Sequence, residues 1–503
     1  EGITSRFLRT LIRPLLPSLE LDDPVEGAPI RLVDAVREMH VPTSLDRLRV
    51  ARERLTLDEL RALHFRLHER RASERGTAPS ILLRDERLRG LVRSLQFELT
   101  AGQRRAAWQL IQQLKSVTPM RQLLQGDVGS GKTVVALIAA YAALDAGYHV
   151  AWMAPTQLLA RQLTDRLAQM LDPVGGVVRL VTAGQSAVQP AGPTLFVGTQ
   201  ALLRHVRSGT QFGLVVVDEQ HRFGVRDRDE LIQPQRGVAP HVLTMSATPI
   251  PRSLALTLFG ELGCTTLTER PIMQQPVRTK LGNERTRPQV AEVLRRAVVQ
   301  GRQAFIVVPR IERSEDGQLS LDEVLRAYQQ LLPGVRFAPY HGQQSDEEQA
   351  RVMDGYLSGQ VDALVATTIV EVGIDIPNAA VMVIEEADRF GLAQLHQLRG
   401  RVGRGEHPGV CIVLTRSTES QATERLRAFT SSNDGFALAE LDLKLRGPGE
   451  LLGSEQSGMP RLKLASLLDP ELGRQAQETV IQWQQAPPAT LAGFLELYSA
   501  PMH

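Results

Sequence analysis

Residues 123–133 read Leu-Leu-Gln-Gly-Asp-Val-Gly-Ser-Gly-Lys-Thr. Gly126, Gly131, Lys132 and Thr133 fill the spacing G-x-x-x-x-G-K-T, with Gly129 inside it. A turn of this kind, entered from a strand and left by a helix, points a run of backbone N–H groups inward and binds phosphate. Glycine is needed because the backbone approaches the phosphates closely and a Cβ would obstruct it. Lys132 is expected to reach the β and γ oxygens as a point charge, and Thr133 to offer its hydroxyl to Mg²⁺. The flanks fit: 120–124 is a short, mainly apolar lead-in to a strand, and 134–144 reads as a buried helix.

Composition adds to this. Of 58 basic residues only five are lysine: Lys115, Lys132, Lys280, Lys444 and Lys463. The chain uses arginine almost everywhere, yet keeps the compact ammonium where a phosphate loop needs it. At 503 residues it exceeds one core, which predicts about two to four domains. With 43% hydrophobic and 23% charged residues it reads as an ordinary globular chain. The net charge of +2 restricts any nucleic-acid surface to a local patch. Cys264 and Cys411 lack metal spacing and are expected to be buried thiols in a reducing compartment. No apolar run reaches membrane-spanning length, so no membrane partner is expected. The chain opens on Glu1, and is expected to be part of a longer protein.

Residues 1–90 are helical in pattern and rich in arginine, with Arg47, Arg49, Arg52, Arg54, Arg61, Arg66 and Arg70 among spaced leucines. A long amphipathic helix with a solvated charged face is expected, and direct DNA contact is the other reading. From Phe97 onward strands alternate with helices, which predicts parallel sheets. Gln103, just ahead of the phosphate loop, can pair with an adenine edge or simply open a helix. Thr156 and Thr199 follow strands and suit phosphate contact, or helix capping. The apolar run Leu214–Val217 delivers Asp218-Glu219-Gln220-His221. Two adjacent carboxylates at the end of a buried strand call for a cation. Asp218 is expected to hold Mg²⁺ and Glu219 to orient and deprotonate water. Ser246-Ala247-Thr248 ends a further strand, and its hydroxyls are placed to link the nucleotide site to a second domain.

A proline-bearing hinge at about 263–290 precedes a second α/β pattern. One of its strands runs into Thr367 and on to Asp375. Residues 394–404 then read Gln-Leu-His-Gln-Leu-Arg-Gly-Arg-Val-Gly-Arg. Arg401 and Arg404 share a helical face, and guanidinium groups aimed across a cleft would stabilise charge on a transferring phosphoryl group. Gly400 and Gly403 argue against a merely solvated helix, which has no use for two helix-weakening glycines. Near the end, Arg446-Gly-Pro-Gly-Glu-Leu-Leu-Gly with Gln456 and Gly458 predicts an irregular loop.

Assembled, these strings resemble superfamily 2 nucleic-acid helicases. The longer ones, Gly126–Thr133, Asp218–Val225, Met245–Arg252, Leu395–Gly405 and Ser432–Phe436, resemble the RecG family of branched-DNA translocases and the Mfd family, and Asp442–Gly458 is closer to RecG. The resemblance implies an α/β architecture of two RecA-like motor domains with parallel sheets at about 97–274 and 275–418. A helical segment, 1–96, would precede them and a C-terminal hairpin and translocation loop, 419–503, would follow. It implies ATP and Mg²⁺ as cofactors. Gln103, Gln397 and Asp375 would join the nucleotide site, with Arg401 and Arg404 as fingers. Thr156, Thr199, Ser246, Thr248, Thr367, Arg446 and Gln456 would contact DNA or couple to it. It also implies a monomer in the bacterial cytoplasm, at the nucleoid, with branched and double-stranded DNA and a single-strand DNA-binding protein as partners. Two departures stand out. Nothing matches the N-terminal wedge domain that RecG proteins carry, and 184–193 is shorter than the resemblance leads one to expect.

Overall fold

The structure is a computed structural model. It describes residues 5–498 apart from 74–75, 83, 183–189, 220–229, 235–236, 247–262, 270–276, 311–318, 372–375, 404, 406–407, 418 and 447–469. The described residues form two compact units. The larger holds residues 76–250 and 264–442; the smaller joins helices from the two ends of the chain, within 1–75 and 443–498.

The larger unit contains two sheets. The first is built of β1 (Arg121–Gly126), β2 (His149–Met153), β3 (Val177–Val181), β4 (Thr194–Gly198), β5 (Phe212–Asp218), β6 (His241–Ser246) and β7 (Cys264–Leu267), in the order β3-β4-β2-β5-β6-β1-β7. The second is built of β8 (Arg278–Gly282), β9 (Gln303–Val307), β10 (Phe337–Tyr340), β11 (Ala363–Ala366), β12 (Ala379–Ile384) and β13 (Val410–Leu414), in the order β10-β11-β9-β12-β13-β8. Every neighbouring pair is parallel. Leu214–Val217 of β5, covered on both faces, is apolar throughout. The helix Lys132–Asp145 shows the same logic. Every residue from Val134 to Leu144 is buried, because the helix lies under the first sheet and beneath the helices Asp85–Ser94 and Ala101–Leu114.

Register sets the site. Gln125 of β1 is level with Ser246 of β6, and Asp218 of β5 is level with Met245. Gly126, Asp218 and Ser246 therefore share the carboxyl edge of one sheet, where open α/β sheets bind their ligands. In the second half, the helices Ser420–Ser431 and Gly435–Arg446 form a hairpin whose described part holds the helix Leu392–Arg399. Asp442 Oδ2 accepts the Leu392 N–H at 3.2 Å, and Arg399 Nη1 donates to the Phe429 and Ser432 carbonyls at 3.0 and 2.8 Å.

The smaller unit corrects one expectation. The arginine-rich helix is there, as Leu45–Ser73, but not all of its charge faces water. Arg54, Asp58 and Arg61 are 5%, 0% and 7% exposed. Arg54 Nε meets Asp58 Oδ2 at 2.8 Å and Arg61 Nη1 meets Asp58 Oδ1 at 2.7 Å, while Arg54 also bonds Asp23 and the Ile30 carbonyl. This network sits against an apolar core that includes Ala51, Leu55, Val480, Trp483 and Phe494, drawn from both ends of the chain. Burial is tolerated because each charge has a partner.

Candidate active site

The phosphate loop begins at the end of β1 and ends at Gly131, which precedes the helix Lys132–Asp145 with φ +86°. Gly129 also has positive φ, +79°, a conformation that favours glycine. At Gly131 a Cβ would collide with Gln103 Nε2. Gln103 itself is buried and has two tasks. Its Oε1 accepts the Thr100 N–H at 2.9 Å in a reciprocal helix cap, and its Nε2 donates to the Ser130 carbonyl at 3.0 Å. The amide thus starts a helix and ties that helix to the phosphate loop.

Lys132 Nζ donates to the carbonyls of Gly126 and Asp127 at 2.7 and 3.0 Å. Burial lowers its pKa, opposed by the charges of Glu219, Asp218 and Asp127. Burial, and then the charge on Glu219, push the Asp218 carboxyl up to about 7, against the pull of Lys132 and Arg401. Glu219 follows with φ +52°, and its N–H bonds the Met245 carbonyl at 3.0 Å. A glutamate held in the left-handed region is a strained backbone position of the sort found at functional sites. Thr133 opens the helix beside them and is half-buried. The charges of Glu219 and Arg401 both act on Lys132 and Asp218, so residues from both sheets' halves stand near one another. Arg401 is 5% exposed and Gln397 2%.

Gly400 earns its place by contact. A Cβ there would stand 2.8 Å from Val128 Cγ1 in the phosphate loop. Next to it, His396 Nε2 bonds Asp127 Oδ1, and Arg399 Nη2 bonds His396 Nδ1 at 2.7 Å. Arg399 also lies over the Phe429 ring, 4.4 Å from its centroid. Asp127, His396 and Arg399 were not legible as a group in the sequence, since the bond joins positions 269 residues apart.

The hydroxyl candidates fare differently. Thr156 caps the helix Gln157–Leu171, accepting the Leu159 N–H at 3.3 Å, which is the capping reading. Thr199 follows β4 and makes no side-chain cap. Ser246 and Thr367 are buried at the ends of β6 and β11. Thr248, Asp375, Arg404 and Gln456 lie outside the described residues. Arg446 is the last residue of its helix. Among the described residues no group of three or more His, Cys, Asp or Glu forms a metal cluster, and no helix is long and apolar enough to cross a membrane. An ion held by Thr133, Asp218 and nucleotide oxygens would not require such a cluster. The raised Asp218 fits that use, because a divalent cation favours its ionised form.

Comparison with known proteins follows the same segments. Residues 100–257 match the DEAD/DEAH box helicase family, 289–406 the helicase conserved C-terminal domain, and 432–485 the ATP-dependent DNA helicase RecG, domain 3, C-terminal family. The ATP-dependent DNA helicase RecG of Synechocystis sp. is 41% identical over 505 residues, covering 96% of this chain and 60% of that protein. That of Mycobacterium tuberculosis is 41% identical over 478 residues, with 87% and 65% covered. The chain therefore spans under two thirds of these relatives' length. A structure of RecG bound to a three-way DNA junction aligns with TM-score 0.77 and 34% identity over 95% of this chain and 65% of that one. S. cerevisiae Dbp5 bound to RNA and ADP BeF3 aligns with TM-score 0.51 at 17% identity, over 80% of this chain and 98% of that one, a likeness of fold alone. The RecG of Bacillus subtilis is 38% identical, over 93% of this chain and 71% of that protein, and with such a relative, and a phosphate loop facing an arginine-bearing helix, the chain belongs to the RecG family of ATP-dependent DNA helicases.

Proposed function

We propose that this chain is the motor of an ATP-driven translocase on duplex DNA, acting at branched structures to reverse forks and move Holliday junctions. The observation that supports it is that the segment leading to Arg401 is seated on the phosphate loop, with His396 bonded to Asp127 and Gly400 against Val128, where Lys132 also bonds the Asp127 carbonyl. The motor halves lie at about 97–274 and 275–418. Lys132 and the loop amides would hold the phosphates, and Thr133 and Asp218 would hold Mg²⁺, which when bound offsets charge on the β and γ oxygens. Glu219 would take the proton of the attacking water. Arg401, with Arg404, would stabilise charge on the transferring group. Gln103, Gln397 and Asp375 would complete nucleotide binding. The hydroxyls Thr156, Thr199, Ser246, Thr248 and Thr367 would follow DNA or relay cleft closure, and the loop from Arg446 to Gln456 would carry motion to the duplex. A catalytic set divided between two halves is complete only when they meet, so hydrolysis is tied to movement.

The RecG relative solved on a three-way junction supports branched DNA as the substrate class. On the same reading the protein works as a monomer at the bacterial nucleoid, with a single-strand DNA-binding protein as a candidate partner. The test is ATPase rate on forked DNA, linear duplex, single strand and RNA. Strong preference for the fork is expected. Preference for RNA would favour an RNA helicase, and indifference to every polymer would favour a non-translocating switch.

A further inference from the structure

The bond between Asp127 and His396 lies in the phosphate loop itself, and no step above uses it. Asp127 follows Gly126, the first residue of the loop pattern. Its Oδ1 accepts the Val128 N–H at 2.7 Å as well as His396 Nε2. A guanidinium only donates, so His396 Nδ1 accepts from Arg399 Nη2 and the ring proton sits on Nε2, aimed at Asp127. Arg399 in turn is fixed to the Phe429 and Ser432 carbonyls. His396, Asp127 and Arg399 are 4%, 7% and 3% exposed, so this run of bonds is shielded from water, where each is strengthened. Gly400 leaves the gap that Val128 fills, and Arg401 comes next in the chain.

We propose that His396 is a positioning residue for hydrolysis: docked on Asp127, it sets the distance between Arg401 and the phosphates cradled by the same loop. This deepens the reading given above and rests on it. Arg401 follows an eight-residue helix that is anchored to the C-terminal hairpin through Arg399. Its start is held there as well, by the Leu392 N–H on Asp442. Those bonds fix the helix to the hairpin and not to the phosphates. The bond of His396 to Asp127 is made on the phosphate loop, so it references the guanidinium to the reacting group directly.

The test measures kcat and KM for ATP, on forked duplex DNA, with the full-length protein. The variants are His396→Ala, His396→Gln, Arg401→Ala and the double variant His396→Ala/Arg401→Ala. His396→Ala is expected to lower kcat by about 10- to 100-fold, the usual cost of a misplaced catalytic group, with KM within about twofold. His396→Gln, whose amide can still donate to Asp127, should recover most of the loss. In the Arg401→Ala background the histidine change should cost less than about threefold, since the group it positions is gone. An undiminished loss in that background, a loss confined to KM, or unchanged turnover would each overturn the proposal. If His396→Ala does not fold, His396→Phe fills the space without donating and replaces it in the cycle. A wild-type protein with no DNA-stimulated hydrolysis sinks the parent reading and this one together; active wild type with indifferent His396 variants sinks this one alone.

Discussion

On the proposed reading Glu219 and Arg401 serve one reaction, and they should fail differently. Glu219 is the half-buried second carboxylate after β5, held with φ +52°. Glu219→Gln keeps its shape and removes a proton acceptor, leaving Asp218, the proposed metal ligand, unchanged. Turnover should fall on the order of 10²–10⁴-fold while ATP binding survives. Fluorescent-nucleotide titration beside a steady-state assay separates the two, and a parallel loss would make Glu219 a ligand or a structural residue instead. Arg401→Ala should also spare ATP affinity, but its loss appears at a charged transition state and should be about 10³-fold or more. Equal weakening of ATP binding would move Arg401 into ground-state recognition, and normal turnover would remove it from the site.

Several elements of the first sheet depend on histidines kept neutral. His241 of β6 accepts the Met120 N–H on Nδ1 at 3.0 Å, and its Nε2 donates to the Pro79 carbonyl at 2.8 Å. Burial lowers its pKa below the usual 6.5, as it does for His149 and His205. Above that value folded and unfolded chains are both neutral at these sites and stability is full. Below it the unfolded chain takes up protons that the fold resists, so stability falls as pH drops below 6.5. Urea midpoints measured from pH 7.5 down to 5.5 should decline, and His241→Gln should flatten the slope; a pH-independent midpoint would refute this. Elements of this kind were partly legible beforehand. The apolar run of β5 and the all-apolar helix after Lys132 announce double-sided burial by composition alone. Gly400 and Gly403 were legible as glycines with a purpose, but the helical reading behind that was wrong: the helix ends at Arg399, so Arg401 lies beyond it, Gly400 caps it against Val128, and Gly403 has φ +73°. The buried arginines were not. Arg54 leaves water only because Asp23, 31 residues away, and Asp58 meet it there. Spacing along a helix cannot report a partner from another segment. Thr156 carried two readings with one side chain, and its bond to Leu159 shows the capping one, which leaves its proposed part at the DNA untested.

At the scale of the molecule, the proposed reading requires a route by which motion leaves the nucleotide site. Arg399 and Asp442 hold the helix before Arg401 at its two ends, and both bonds run to the C-terminal hairpin. The hairpin leads into 447–458, which lies outside the described residues and on the proposed reading passes the movement to duplex DNA. Arg446→Ala and Gln456→Ala should therefore retain DNA-stimulated ATPase and lose branch migration, both measured on one preparation. Activities that fall in proportion, or do not change, would end the coupling role. Strand order has a different consequence, for the newborn chain. β1, which ends in the phosphate loop, lies between β6 and β7, made from residues 241–246 and 264–267. None of its sheet neighbours exists when the ribosome finishes the loop at Thr133. More than a hundred further residues must emerge before β1 has a strand on either side. The nucleotide cradle is thus written early and assembled late, and during that interval its unpaired strand is exposed to whatever else in the cell binds β edges.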